Sequence, residues 1–315
     1  MITYVEGVIF GILGGLLNFF GQVLQKKAIN DTSQENREHK LVRSLVRNKT
    51  WLLGIVSMVG FSTIFILLGQ YAVGAALMPG LGASGFIILA IGSVVILKES
   101  LKLAEITAII LLIIAITLIG FSQLSITASL SYFDDALFNA RLAIYTIIFT
   151  GLWLGFFYTG RKAKKFNSLL LAIGTGFPFV VGNIWLQPFI ISFASVFAPS
   201  PAIVVWVIFL IAATITVLAN VIGLGHYQYA LNAGNASIVV PVQQIPQQIA
   251  PIITYFLIYE LPSPTPYSFY LLLVGVILIC IAGFLLGKRQ ATLEKIKAPS
   301  DAGKIKGGLK GNTLN

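Results

Sequence analysis

The sequence predicts an all-α, polytopic membrane protein of about nine transmembrane helices, arranged as two inverted-topology repeats of four spans with a linker helix between them. Three observations carry that expectation. Of 315 residues, 57% are hydrophobic and only 10% charged, and the mean hydropathy of +0.90 lies far from that of soluble domains. Several apolar runs reach the roughly 20 residues that cross a bilayer, and they are continuous, unlike the alternating segments of about ten residues in a β-barrel. Polar landmarks also recur in the same order in the two halves of the chain.

The first span covers residues 5–25 of a first segment, 1–25, and carries Gly7, Gly11 and Gly15, a small-residue face open to close helix approach. Its start lacks a basic region and a small-residue cleavage site, so it reads as a retained span rather than a signal peptide. A basic loop follows at 26–50, where Leu41, Val42, Leu45 and Val46 recur at helical spacing beside Lys40, Arg43 and Arg47. That pattern fits a short basic helix lying on anionic headgroups. Segment 51–122 holds the rest of the first repeat, with spans at about 51–72, 75–97 and 103–122. An outer loop with Asp134 and Asp135, and a linker span at about 142–158, fill 123–165. The second repeat occupies 166–287, with spans at about 168–197, 203–228, 237–259 and 267–286. A basic tail at 288–315 is expected to be flexible. The single cysteine, Cys280, lies in an apolar run and excludes a disulfide framework.

The most polar stretch inside this apolar territory runs from Gln228 to Pro251. It carries Gln243, Gln244, Gln247 and Gln248, which form a stripe on one helical face, and Pro241, Pro246 and Pro251. Each proline removes an N–H and opposes the carbonyl four residues earlier, so a broken helix lining a cavity is expected, with these prolines and Pro79 as hinges.

The repeat rests on four landmarks. Asn18 and Gln22 in the first span match Asn183 and Gln187 in the sixth; Gln70-Tyr71-Ala72 matches Gln228-Tyr229-Ala230; Pro79 matches Pro241; Glu99 matches Glu260. With nine spans every Lys and Arg except Arg141 falls on one side, so the positive-inside rule predicts a multi-pass cell-membrane protein with the N-terminus outside and the C-terminus cytoplasmic. Matching spans are offset by five helices, an odd number, and so have opposite orientation, which is the inverted repeat of secondary transporters.

The motif Ala230-Leu231, Asn235, Ser237-Ile238-Val239, Pro241, together with Lys26-Lys27 and Glu99, resembles the drug/metabolite transporter superfamily of EamA-like proteins, and within it the NIPA-type magnesium transporters. The resemblance covers nearly all of the apolar part. It implies a four-plus-one-plus-four helix fold, a transport function and Mg2+ or another divalent cation as solute. It also implies an acidic residue near Ser62, where this chain has Ser62-Thr63.

From the residues themselves, the spans hold no Asp or Glu near their middles. Asn18, Gln22, Gln70, Asn183, Gln187, Gln228, Gln243, Gln244, Gln247 and Gln248 are the candidates for a solute path, and they offer both donors and acceptors. They suit a hydrated Mg2+ held at its outer shell, or a small organic solute, neutral or zwitterionic. No metal ligands are assignable and no cofactor is expected. Glu99, Glu260 and the single span histidine, His226, read as structural groups. An intramembrane enzyme would need a nucleophile with its base or a metal cluster, and no such set stands in the spans. Expected partners are the solute and membrane lipids including anionic headgroups; nucleic acid is not expected, and a homodimer stays open.

Overall fold

The computed structural model describes residues 3–73, 78–124, 126, 129–163 and 165–308. Among them eight helices are long and apolar enough to cross a membrane: Tyr4–Asn30, Lys49–Ala72, Met78–Val95, Leu103–Phe121, Ala136–Lys162, Asn167–Phe193, Ile203–Ala233 and Ser268–Leu293. The chain is a helical multi-pass membrane protein by this measure. The expected span at 237–259 is also one helical stretch, but its glutamines keep it outside that set.

Helix α1 (Tyr4–Asn30) starts with a capping box, in which Glu6 Oε2 accepts from the Thr3 N–H at 2.7 Å and Thr3 Oγ1 accepts from the Glu6 N–H. Two short helices follow, α2 (Gln34–His39) and α3 (Leu41–Leu45). Leu41 and Leu45 are buried inside the protein, against α1 and the helix at Ile203–Ala233, so this part of the segment's apolar edge faces protein. The expected membrane-surface helix differs on this point: with Leu41 and Leu45 turned inward, the exposed face carries Lys40, Arg43 and Arg47 together with Val46.

The second span consists of α4 (Lys49–Ile55), a π turn over Val56–Phe61, and α5 (Ser62–Val73). The third is α6 (Met78–Gly82) with α7 (Gly85–Val95), and the fourth α8 (Leu103–Phe121). Helix α9 (Ala136–Lys162) is longer at both ends than the expected 142–158; its early start is set by the Asp135 cap, Oδ1 accepting from the Leu137 N–H at 2.8 Å. The second half follows as α10 (Asn167–Val196), α11 (Ile203–Ala233), α12 (Ala236–Ile253) continued by a π turn over Thr254–Ile258, and α13 (Ser268–Gly308).

Two expectations fail here. The prolines do not break α12, which runs unbroken through Pro241, Pro246 and Pro251, as α10 does through Pro178 and Pro188. Packing of α12 against α10 and α13 holds the helix where isolated propensity would interrupt it. The tail is helical to Gly308, because residues 288–297 are rich in Lys, Arg, Gln, Ala, Leu and Glu, which favour helix. Residues 309–315 lie outside the described set.

Packing forms two groups, around α1 and around α10, with α8 and α13 paired beside them. Helix α1 packs on α4, α5 and α7; α10 packs on α9, α11 and α12; α8 packs on α13. Glycines set the spacing in the first group. A Cβ at Gly15 or at Gly85 would strike the other helix's backbone, and Gly21 and Gly54 exclude each other's Cβ in the same way. At the end of the bundle that carries most of the Lys and Arg residues, here the basic end, α1 meets α11 and the loop after α7 meets α12.

Candidate functional site

Between these groups lies a cavity of about 430 Å³ lined by Asn18, Gln22, Met58, Val59, Thr63, Phe179, Asn183, Asn220, Val221, Leu224, Tyr227, Gln243, Gln244 and Gln247. Every contributing helix is in mid-course there. Six of the ten residues expected from the sequence come together: Asn18 and Gln22 from α1, Asn183 from α10, and Gln243, Gln244 and Gln247 from α12. Helical spacing explains the α12 set. At about 100° per residue Gln243, Gln247 and Gln244 span an arc of about 100°, and Gln248 falls a further 40° round, outside the lining.

The polar groups of the cavity differ in how far protein satisfies them. The Tyr227 hydroxyl donates to Gln22 Oε1 at 2.7 Å, and Gln22 Nε2 donates to Asn18 Oδ1 at 2.7 Å, a chain that ends facing the open volume. Asn220 Nδ2 donates to the Thr216 carbonyl at 2.8 Å. Gln247 reaches the Gln243 carbonyl only at 3.5 Å. Among the described residues, the Asn183 and Gln244 side chains make no hydrogen bond. Their amides point donors and acceptors at the cavity, and a polar solute could take up both.

Gln187 lies elsewhere, in a second cavity of about 170 Å³ that also touches Asn183, Pro251, Thr254 and Tyr255 and reaches Leu124 and Ile126. Asn183 borders both volumes, which lines them up from mid-bundle towards the end opposite the basic one. Gln70 is exposed, and Gln248 is half-buried outside the larger cavity. Gln228 is fully buried and saturated: it donates to Gln25 Oε1 at 2.9 Å and to the Leu224 carbonyl at 3.1 Å, and accepts from Trp51 Nε1 at 3.1 Å. Pro241 and Pro246 are buried in α12, Pro251 borders the second cavity, and Pro79 sits in the first turn of α6, where its missing N–H has no intrahelical partner to lose.

Tyr227 and Asn220 were missed in the sequence. Asn220 is a lone polar residue in an apolar run, the same signal that marked Asn18, and Tyr227 lies seven residues on, on the same helical face.

Glu99, Glu105, Glu260 and His226 are each bonded to protein. Glu99 accepts from the Ala236 and Ser237 N–H groups at 2.7 and 3.1 Å, a carboxylate at the positive end of α12 that replaces a cap from Asn235. Glu105, fully buried, accepts from the Lys102 N–H at 2.7 Å and Ser237 Oγ at 3.1 Å, and pairs with Arg289 at 3.1 Å. Glu260 pairs with Arg141 at 2.7 Å. His226 stacks on Phe157 with ring centroids 3.8 Å apart, and its Nδ1 accepts from Trp153 Nε1 at 3.1 Å, so the imidazole is held in one orientation by α9. Among the described residues no three His, Cys, Asp or Glu side chains group as metal ligands.

Compared with protein-family models, curated proteins and solved structures, the chain matches none.

Proposed function

We propose that the chain is a secondary transporter of the drug/metabolite type, without enzymatic activity, whose solute passes through the amide-lined cavity between two inverted repeats. The observation that carries the reading is the lining itself: asparagines and glutamines from α1, α10, α11 and α12 converge at mid-bundle, with Asn183 and Gln244 left without protein partners. Asn183 is exposed and Gln244 half-buried, so both amides stay accessible to a polar solute.

The repeat is supported by matched packing. Helix α1 on α5 and α7 has its counterpart in α10 on α11 and α12, with α8 and α13 meeting each other. The ends of α7 and α12 match as well. Lys98 and Glu260 take left-handed φ of 56° and 50°, and the next N–H returns six residues, Glu99 to the Ser93 carbonyl at 2.8 Å and Leu261 to the Tyr255 carbonyl at 3.2 Å. In this register Glu260 aligns with Lys98, one residue from the Glu99 pairing read from the sequence. The N-terminus is assigned outside and the C-terminus to the cytoplasm on the distribution of Lys and Arg.

For the solute, Mg2+ would cross with its waters, bonded to amides at the outer shell. A small organic solute, neutral or zwitterionic, is favoured by one observation: among the described residues the lining holds no charged side chain to offset a divalent charge. The cavity volume also lies within the range of small-molecule sites, about 300–1,000 Å³. The test is uptake into proteoliposomes, with a trapped Mg2+ indicator in one arm and a panel of labelled polar metabolites in the other. Saturable uptake of one solute, reduced at least about tenfold by Gln244→Leu with Gln247→Leu, is expected. Uptake unchanged by that double substitution would remove the path from this cavity.

A further inference from the structure

The cavity is closed at its basic end by a seam between α1 and α11. Three polar contacts follow one another along it. At the cavity floor the Tyr227 hydroxyl donates to Gln22. One turn further, Gln228 bonds Gln25 while Trp51 of α4 bonds Gln228, all three side chains buried. Beyond them the buried Lys26 ammonium donates to the Leu231 carbonyl at 2.5 Å and to the Gly234 carbonyl at 2.7 Å. From Tyr227 to Gly234 the seam is about 10 Å deep at the helical rise of about 1.5 Å per residue.

The chemistry of these layers differs from ordinary helix packing. Lys26 places a cation on the terminal carbonyls of α11, the negative end of that helix, and so supplies partners to groups that have none within the helix. The bond holds the C-terminus of α11 to α1 through a charge that would be stable in water if the helices parted, since both the ammonium and the carbonyls rehydrate. The inner layers are neutral amides and hydroxyls, which exchange protein for water at small net cost. The opposite route, past Asn183 and Gln187 towards Leu124 and Ile126, is marked by a second cavity.

We propose that the α1–α11 seam is a gate at the basic end of the cavity and that Lys26 is its latch, a positioning residue that holds the closed state. The proposal rests on the transport reading for its purpose, but not for its test, because access can be measured without any solute. Leu224, half-buried on the cavity wall of α11, serves as reporter, as Leu224→Cys in a Cys280→Ser background. Full-length protein is reconstituted in vesicles of known orientation, and labelling by a membrane-impermeant maleimide is timed from each face.

In Lys26→Met the labelling rate from the basic-end face is expected to rise about tenfold, the scale of losing hydrogen bonds to a charged group, with no rise from the other face. Tyr227→Phe, which removes the floor contact, should raise the same rate by less. Lys26→Arg, which keeps a cation there, should return labelling to the rate of the parent. Equal acceleration from both faces in Lys26→Met would mean a loosened bundle and would overturn the gate, as would unchanged labelling from the basic end. Monodisperse elution of each variant on size exclusion is measured alongside, and a Lys26→Met protein that aggregates while Tyr227→Phe leaves basal labelling intact would also overturn it. Absence of solute uptake in the parent protein, with gated labelling retained, would instead remove the transport reading and leave the gate standing.

Discussion

Gln244 and Gln228 are the same side chain in the same apolar helix bundle, yet the protein treats them in opposite ways. Gln228 is buried, with Gln25, Trp51 and the Leu224 carbonyl taking up its donor and acceptor groups. Gln244 lines the cavity and bonds nothing among the described residues. The difference teaches that an amide in an apolar bundle is not by itself a binding group. Saturated by neighbouring helices it is a joint, worth stability; left open on a cavity wall it is available to a solute. Cost in stability and cost in transport should therefore separate between the seam and the cavity.

The largest stability effect is expected just beyond both regions, at the buried pair that joins α8 to α13. Glu105→Ala leaves the Arg289 cation without its carboxylate and frees Ser237 Oγ and the Lys102 N–H, a loss of about 3–5 kcal/mol, read as a lowered unfolding midpoint in detergent. Less severe is Gln228→Leu, which leaves Trp51 Nε1 and Gln25 Oε1 without their partner in a buried layer and should cost about 1–3 kcal/mol by the same measurement. If Gln228→Leu were as stable as the parent, the joint reading of the seam would fail. Gln70→Ala, at an exposed position, should change stability by less than about 0.5 kcal/mol and leave uptake unaltered, although the repeat pattern pairs Gln70 with Gln228.

How much of this was legible in sequence follows from the same contrast. Apolar runs announce spans because the bilayer demands about 20 apolar residues whatever the neighbours do, so α8, α10 and α11 began within a residue of expectation. Helix α9 was read short because its ends are amphipathic, and the Asp135 cap that extends it is a local bond rather than a composition. The α12 prolines misled: Pro241, Pro246 and Pro251 weaken the helix as an isolated segment, and tertiary packing against α10 and α13 restores it. In the site, type and spacing picked out Asn18, Gln22, Asn183 and three of the α12 glutamines. They could not separate Gln228, whose role depends on Gln25 and Trp51, about 200 and 177 residues away in the chain. Such partners are properties of packing, and no single-sequence pattern encodes them.

The most direct test of an amide-lined path is uptake by proteoliposomes bearing the parent protein, the Gln244→Leu, Gln247→Leu double variant and Gln228→Leu, with a Mg2+ indicator and a polar-metabolite panel in parallel. Saturable uptake by the parent, lost in the double variant while its unfolding midpoint stays within about 1 kcal/mol of the parent, is the expected result. Equal uptake by parent and double variant would contradict it and return the cavity amides to the same structural class as Gln228.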